Sequence, residues 1–160
     1  MSTWELLSLA LVVSVVGLFS GPSDTLRRPF KNCSFEVFVE LVDRMNWSMA
    51  PALTVLLPAA FFSLCLSTLS AYGLSRSLFF LNVTALGLFV ASLLTAAVFE
   101  VPLVKNVATW PASLEMPNDW QNIRKRWLQI HTARVALGVA SVLLLLIGTG
   151  VQLLKTFGRD

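Results

Sequence analysis

The sequence predicts an all-α integral membrane protein, a four-helix bundle, and three observations carry that prediction. Apolar residues make up 56% of the chain and charged residues 13%, whereas about a quarter of a soluble domain is charged. The mean hydropathy is +0.73. Four apolar runs, at residues 4–20, 50–72, 78–98 and 133–154, reach or approach the roughly 20 residues that a helix needs to cross about 30 Å of hydrocarbon. These runs use most of the 160 residues, so the chain reads as a single transmembrane domain with interfacial segments at 21–49 and 99–132.

The first run carries Glu5 and no basic residue upstream, so it lacks the positive start of a signal peptide and reads as a retained span. In the connection that follows, FEVFVELVDRM places Phe35, Phe38, Val39, Val42 and Met45 at helical spacing, with Glu36, Glu40, Asp43 and Arg44 elsewhere. That pattern predicts an amphipathic interfacial helix. Asn46 then stands just ahead of the second span, as an N-terminal cap or as a donor into a pocket. Pro51 suits the first turn of that span, and Pro58 predicts a kink. The short connection at 73–77 makes spans two and three an antiparallel hairpin.

The third run ends in FEVPLVKNVATW, where Pro102 is expected to break the helix and Glu100 puts a carboxylate at the edge of the hydrocarbon. Glu100 can pair with Arg134 or His131 when the chain returns, either to hold two helices together or to do chemistry. Asn118 followed by Gln121, with Pro117 before and Asp119 in the first turn, predicts the start of a long, partly extramembrane fourth helix.

Four spans put both termini on one side and both long connections on the other. The connections hold Arg27, Arg28, Lys31, Arg44, Lys105, Arg124, Lys125 and Arg126, against Arg76, Lys155 and Arg159 on the terminal side. The excess predicts cytoplasmic connections in a multi-pass protein of the cell membrane. A net charge of +3 placed at the interfaces argues for lipid contact and against a nucleic-acid surface. Cys33 and Cys65 show no CxxC or Cys/His spacing, so neither zinc nor a disulfide framework is signalled. With one His, a bis-His haem site within one chain is impossible. Substrate identity, oligomeric state (including a homo-oligomer) and the state of the two thiols stay open.

The strongest signal is DWQNIRKRWLQIHTAR, residues 119–134, at the mouth of the last span. On a helical wheel Trp120, Arg124, Trp127, His131 and Arg134 share one stripe, which continues through Gly138, Ser141, Leu145 and Thr149. Small residues on that stripe let helices approach closely, so the polar face is predicted to point into the bundle. Lys125, Arg126 and Gln129 fall off it, toward headgroups or solvent. An ionisable residue at membrane depth costs about 2.5–3.5 kcal/mol and marks a site by default. Two readings are open: a snorkelling Arg134, a satisfied His131 and an aromatic belt, or one functional site.

These residues carry a resemblance. The chain resembles the anthrone oxygenase-like family of small four-span membrane proteins through VP at 101–102, Trp110, P-x-D-W at 117–120, R-x-R-W at 124–127 and H-x-x-R at 131–134. GLFSG at 17–21 and RMN at 44–46 match its weaker N-terminal features. Where that family often reads V-P-L-N, this chain has Val104 after Leu103, and its nearest Asn is Asn106. The resemblance implies oxidation of an anthrone to an anthraquinone with O2 as co-substrate and no organic cofactor or metal.

The residues suit such chemistry. An anthrone is a planar apolar ketone whose CH2 can be deprotonated to an enolate that reacts with O2. Imidazole is the side chain that titrates near neutrality, which makes His131 the candidate base. Arg134 or Arg124 can stabilise the enolate oxygen, and Trp110, Trp120 and Trp127 can supply flat walls for a hydrophobic aromatic small molecule, with Glu100 and Asn46 as further binding candidates. The alternative is a non-catalytic membrane protein that binds a lipid, a lipophilic ligand or a partner subunit through the same stripe.

Overall fold

A computed structural model describes the backbone of residues 3–110 and 116–157, and within these the side chains other than those of 21–32, 45–50 and 155–157. The described residues are helical and contain no strand. Helix α1 is Thr3–Asn32 and α2 is Phe35–Tyr72. The third long helix is built from α3 (Arg76–Thr95), a π-helical turn (Ala96–Glu100) and α4 (Val101–Val107), and α5 is Trp120–Phe157. Four stretches are long and apolar enough to cross a membrane: Thr3–Ser20, Pro51–Tyr72, Arg76–Val107 and Trp120–Leu154. Their outer faces carry large apolar side chains such as Val55, Phe62, Leu69, Phe80 and Ile147, all more than half exposed. A soluble surface avoids such faces and a lipid environment satisfies them.

The helices form a closed ring in which α1 packs on α2, α2 on α3, α3 on α5, and α5 back on α1. Cross-helix contacts fix the directions. Ser92 meets the backbone of Arg134 and Ser141 that of Ala85, so α3 and α5 are antiparallel. Asn82 reaches Ser67 across the hairpin from α2 to α3. The start of α1 and the end of α5 therefore share one end of the bundle with the 73–75 turn, and the 33–34 link, residues 108–110 and residues 116–119 lie at the other.

Four local expectations change. The segment 35–45 is the first part of α2, not a separate interfacial helix, because residues 35–72 contain no glycine and neither Pro51 nor Pro58 ends the helix. Neighbouring helices and local adjustments allow proline inside membrane helices. The first long connection is likewise helical up to Asn32, leaving only Cys33 and Ser34 as a link. Pro102 does not end the third helix. A π-turn absorbs it: the Val101 N–H bonds to the Ala96 carbonyl five residues back, and Pro102 becomes a first-turn residue of α4, where its missing N–H costs least. Finally, α5 opens one residue later than the predicted cap. The Ile123 N–H bonds to the carbonyl of Asp119 at 3.1 Å, which puts Asp119 and not Asn118 at the capping position.

Two buried clusters stack along the bundle. One lies in the membrane-crossing half, with Val12, Val15, Phe19, Leu64, Phe89 and Leu145. The other lies toward the end of the bundle that holds the 33–34 link, with Phe35, Phe38, Val42, Val107, Trp120 and Trp127. The first depends on close approach: a Cβ built on Gly138 would stand 3.0 Å from Val16 Cγ2, so any side chain there would have to push Val16 aside. The candidate site sits where the two clusters meet.

Candidate functional site

The stripe predicted for the last helix is the buried face of α5. Trp120, Trp127, His131, Arg134, Gly138, Ser141 and Leu145 are all buried, Arg124 is half-buried, and Lys125, Arg126 and Gln129 are exposed. Its register follows from the spacing of four and three residues, which returns each member to the same side of the helix.

Glu100 meets this stripe from the third helix. It is the last residue of the π-turn and is buried. One carboxylate oxygen, Oε2, lies 2.9 Å from Nη1 of Arg134, and the other, Oε1, lies 3.1 Å from Nδ1 of His131. The same Nδ1 lies 3.0 Å from Nη2 of Arg134. Nδ1 donates to Glu100 when it carries a proton and accepts from Arg134 when it does not, so it serves one partner at a time. The trio thus holds a proton position whose occupancy decides which bond forms.

Neighbours hold the trio in place. The Ser92 hydroxyl donates to the Arg134 carbonyl at 2.9 Å. The Arg134 guanidinium lies 4.2 Å above the Phe19 ring, a cation–π contact that ties it to α1. His131 stacks on Trp127 with ring centroids 5.0 Å apart and planes 17° from parallel. Trp127 in turn packs edge-on against Phe38. The imidazole is therefore fixed on one face by an indole and at one nitrogen by the ionic pair.

A cavity of about 460 Å³ opens beside the trio, with walls from all four long helices. Its size falls within the roughly 300–1,000 Å³ of small-molecule sites. Phe19, Leu53, Leu57 and Leu93 give it apolar walls, and Ala96 and Ala97 of the π-turn leave it room. Glu100, Arg134 and Lys105 are the charged side chains on its lining, and Trp127 closes one side. His131 is not on that lining. It stands behind Glu100, one hydrogen bond away from the cavity.

The other sequence candidates take different places. Trp120 and Trp110 pack with Phe35 and Phe38 in the aromatic cluster beyond the cavity. Arg124 donates to the Cys33 carbonyl at 2.9 Å and lies over Trp120, so it clasps the link between α1 and α2. Asn46 lies inside α2, whose N-terminal cap is Ser34, so it does not cap the second span, and its side chain lies outside the described residues. Asn106 is exposed and off the lining. Reasoning from sequence missed Ser92, Phe19 as the partner of Arg134, and Lys105 as a cavity residue. Nothing in the residues ahead of Pro102 signalled the wide turn that turns Glu100 inward.

Glu100 and His131 are the trio's possible metal ligands, but the Arg134 charge lies within 3.0 Å of both, which opposes a cation there. No group of three His, Cys, Asp or Glu with metal-binding geometry occurs among the described residues. What the arrangement can do is accept a proton from a cavity ligand at Glu100 and relay it to His131, with a guanidinium beside the developing charge. Compared with protein-family models, curated proteins and solved structures, the chain gives no match.

Proposed function

We propose that the protein is an anthrone oxygenase-like enzyme of the cell membrane, taking a hydrophobic phenolic or polycyclic ketone from the bilayer into the cavity and oxidising it with O2. The observation that carries this reading is a buried carboxylate on the wall of an apolar cavity, backed by an imidazole and flanked by a guanidinium. The resemblance of the 99–138 region to that family points the same way.

In this mechanism Glu100 removes a proton from the ligand CH2, and the proton passes from Oε1 to Nδ1 of His131. Once protonated, Nδ1 no longer accepts from Arg134, and Nη2 is released to hold the enolate oxygen. The enolate carbon adds O2 and, with one proton, becomes a hydroperoxide. Loss of water then leaves a carbonyl, so one oxygen atom ends in the product and the other in water. The role given to His131 from sequence becomes that of the proton's second holder, and Glu100 becomes the group that touches substrate.

Oxygen uptake by the purified protein in nanodiscs with emodin anthrone, corrected for the spontaneous rate, tests this. Glu100→Gln is expected to lower the rate by roughly 10²-fold or more, the usual weight of a positioned base, and His131→Ala by a smaller factor. Uptake at the spontaneous rate with wild type would remove the oxygenase reading. One observation favours the non-catalytic alternative: Glu100 and Arg134 already neutralise each other across two helices, as a structural ion pair does. In that case the cavity holds a lipid or lipophilic ligand without turning it over.

A further inference from the structure

The charges on the cavity wall do not cancel. Glu100 and Arg134 form a pair at 2.9 Å, which leaves Lys105, on the same wall, with no ion-pair partner among the described residues. Lys105 follows Glu100 by five residues and so stands about 7.5 Å further along the helix axis, toward the end of the bundle that holds the aromatic cluster. In the opposite direction the wall becomes wholly apolar, through Leu53 and Leu57 of α2 and Leu93 of α3. A cation at one end of a cavity and hydrocarbon at the other is the polarity of an amphiphilic acid, whose charged head and apolar body part in the same way in a bilayer leaflet.

We infer that the cavity selects a lipophilic acid, a molecule with one negative charge held by Lys105 and an apolar body lying along Leu53, Leu57 and Leu93. Lys105 is then the residue that sets specificity, while the trio acts on, or only contacts, the body of the ligand. This rests on the cavity being a ligand site, as proposed above, and not on the oxidation chemistry.

Quenching of tryptophan fluorescence tests it, because Trp127 lines the cavity. The probes are 9,10-dibromostearic acid and its methyl ester, titrated in micelles at a pH where the acid is ionised. Wild type is expected to bind the acid roughly tenfold more tightly than the ester, the weight of one charge-assisted hydrogen bond. Lys105→Met should bring the two midpoints together, Lys105→Arg should keep them apart, and Trp127→Phe should remove the saturable part of the signal. Equal midpoints in wild type, a preference that survives Lys105→Met, or no saturable quenching would each overturn the proposal. A protein that prefers the acid yet never accelerates anthrone oxidation would lose the oxygenase reading and keep this one.

Discussion

The two ends of the bundle are held by different forces. In the half that holds the aliphatic-rich cluster, Val12, Val15, Leu64 and Leu145 pack with Phe19 and Phe89, and most hydroxyls spend their hydrogen bonds on backbone: Ser141 on Ala85, Thr68 on Leu64, Ser63 on Ala60. The helices approach closely there, and Ser141, Asn82 and Gln152 spend their hydrogen bonds across helix pairs. In the aromatic half, Phe35, Phe38, Trp110, Trp120 and Trp127 meet ring to ring, and Arg124 is spent on holding the 33–34 link. Between them lie Glu100, His131 and Arg134, which pair with one another by charge and hydrogen bond. A scaffold hides its polar groups, whereas this junction concentrates them beside a cavity.

That contrast orders the effects of substitution. Arg134→Leu strands the Glu100 carboxylate and is expected to lower stability by about 3–5 kcal/mol, read as a fall in the unfolding midpoint in detergent. The double variant with Glu100→Leu should recover most of that loss, because the penalty comes from an unpaired charge. A double variant as unstable as the single would show that the junction is held by packing instead. Next in size is Gly138→Val, which drives a side chain into Val16 and is expected to cost about 1–3 kcal/mol by overpacking. Ser141→Ala removes one interhelical hydrogen bond, and the same midpoint should fall by about 0.6 kcal/mol, the average for such bonds in membranes. Lys125→Gln and Arg126→Gln, on the exposed face of α5, should stay within about 0.5 kcal/mol of wild type. A larger effect from either would mean that this face is covered in the working protein.

The membrane-crossing half was the more legible in sequence, because length and hydropathy alone determine whether a helix can span a bilayer. The buried stripe of α5 was legible for a similar reason: Trp120, Trp127, His131 and Arg134 repeat at helical spacing over a length that averages out local exceptions. The pairing of Glu100 with His131 and Arg134 could be anticipated only as an option, since a stripe says which way a side chain faces and not what it meets. The π-turn was out of reach. Pro102 announces a disturbance in the ladder, but whether the helix stops or widens depends on α5 packing against that turn. Lys105 was read as an interfacial anchor because a cation near a membrane edge usually is one. Its place on the cavity wall follows from the continuation of the helix past Pro102.

The most direct test of the proposed proton relay leaves O2 out. Emodin anthrone labelled with deuterium at the reacting CH2 is incubated anaerobically with the protein, and loss of label to water is followed by mass spectrometry. The relay predicts that wild type speeds the loss well above the spontaneous rate, that Glu100→Gln returns it to that rate, and that His131→Ala falls between. Label loss that the wild-type protein leaves unchanged would contradict it.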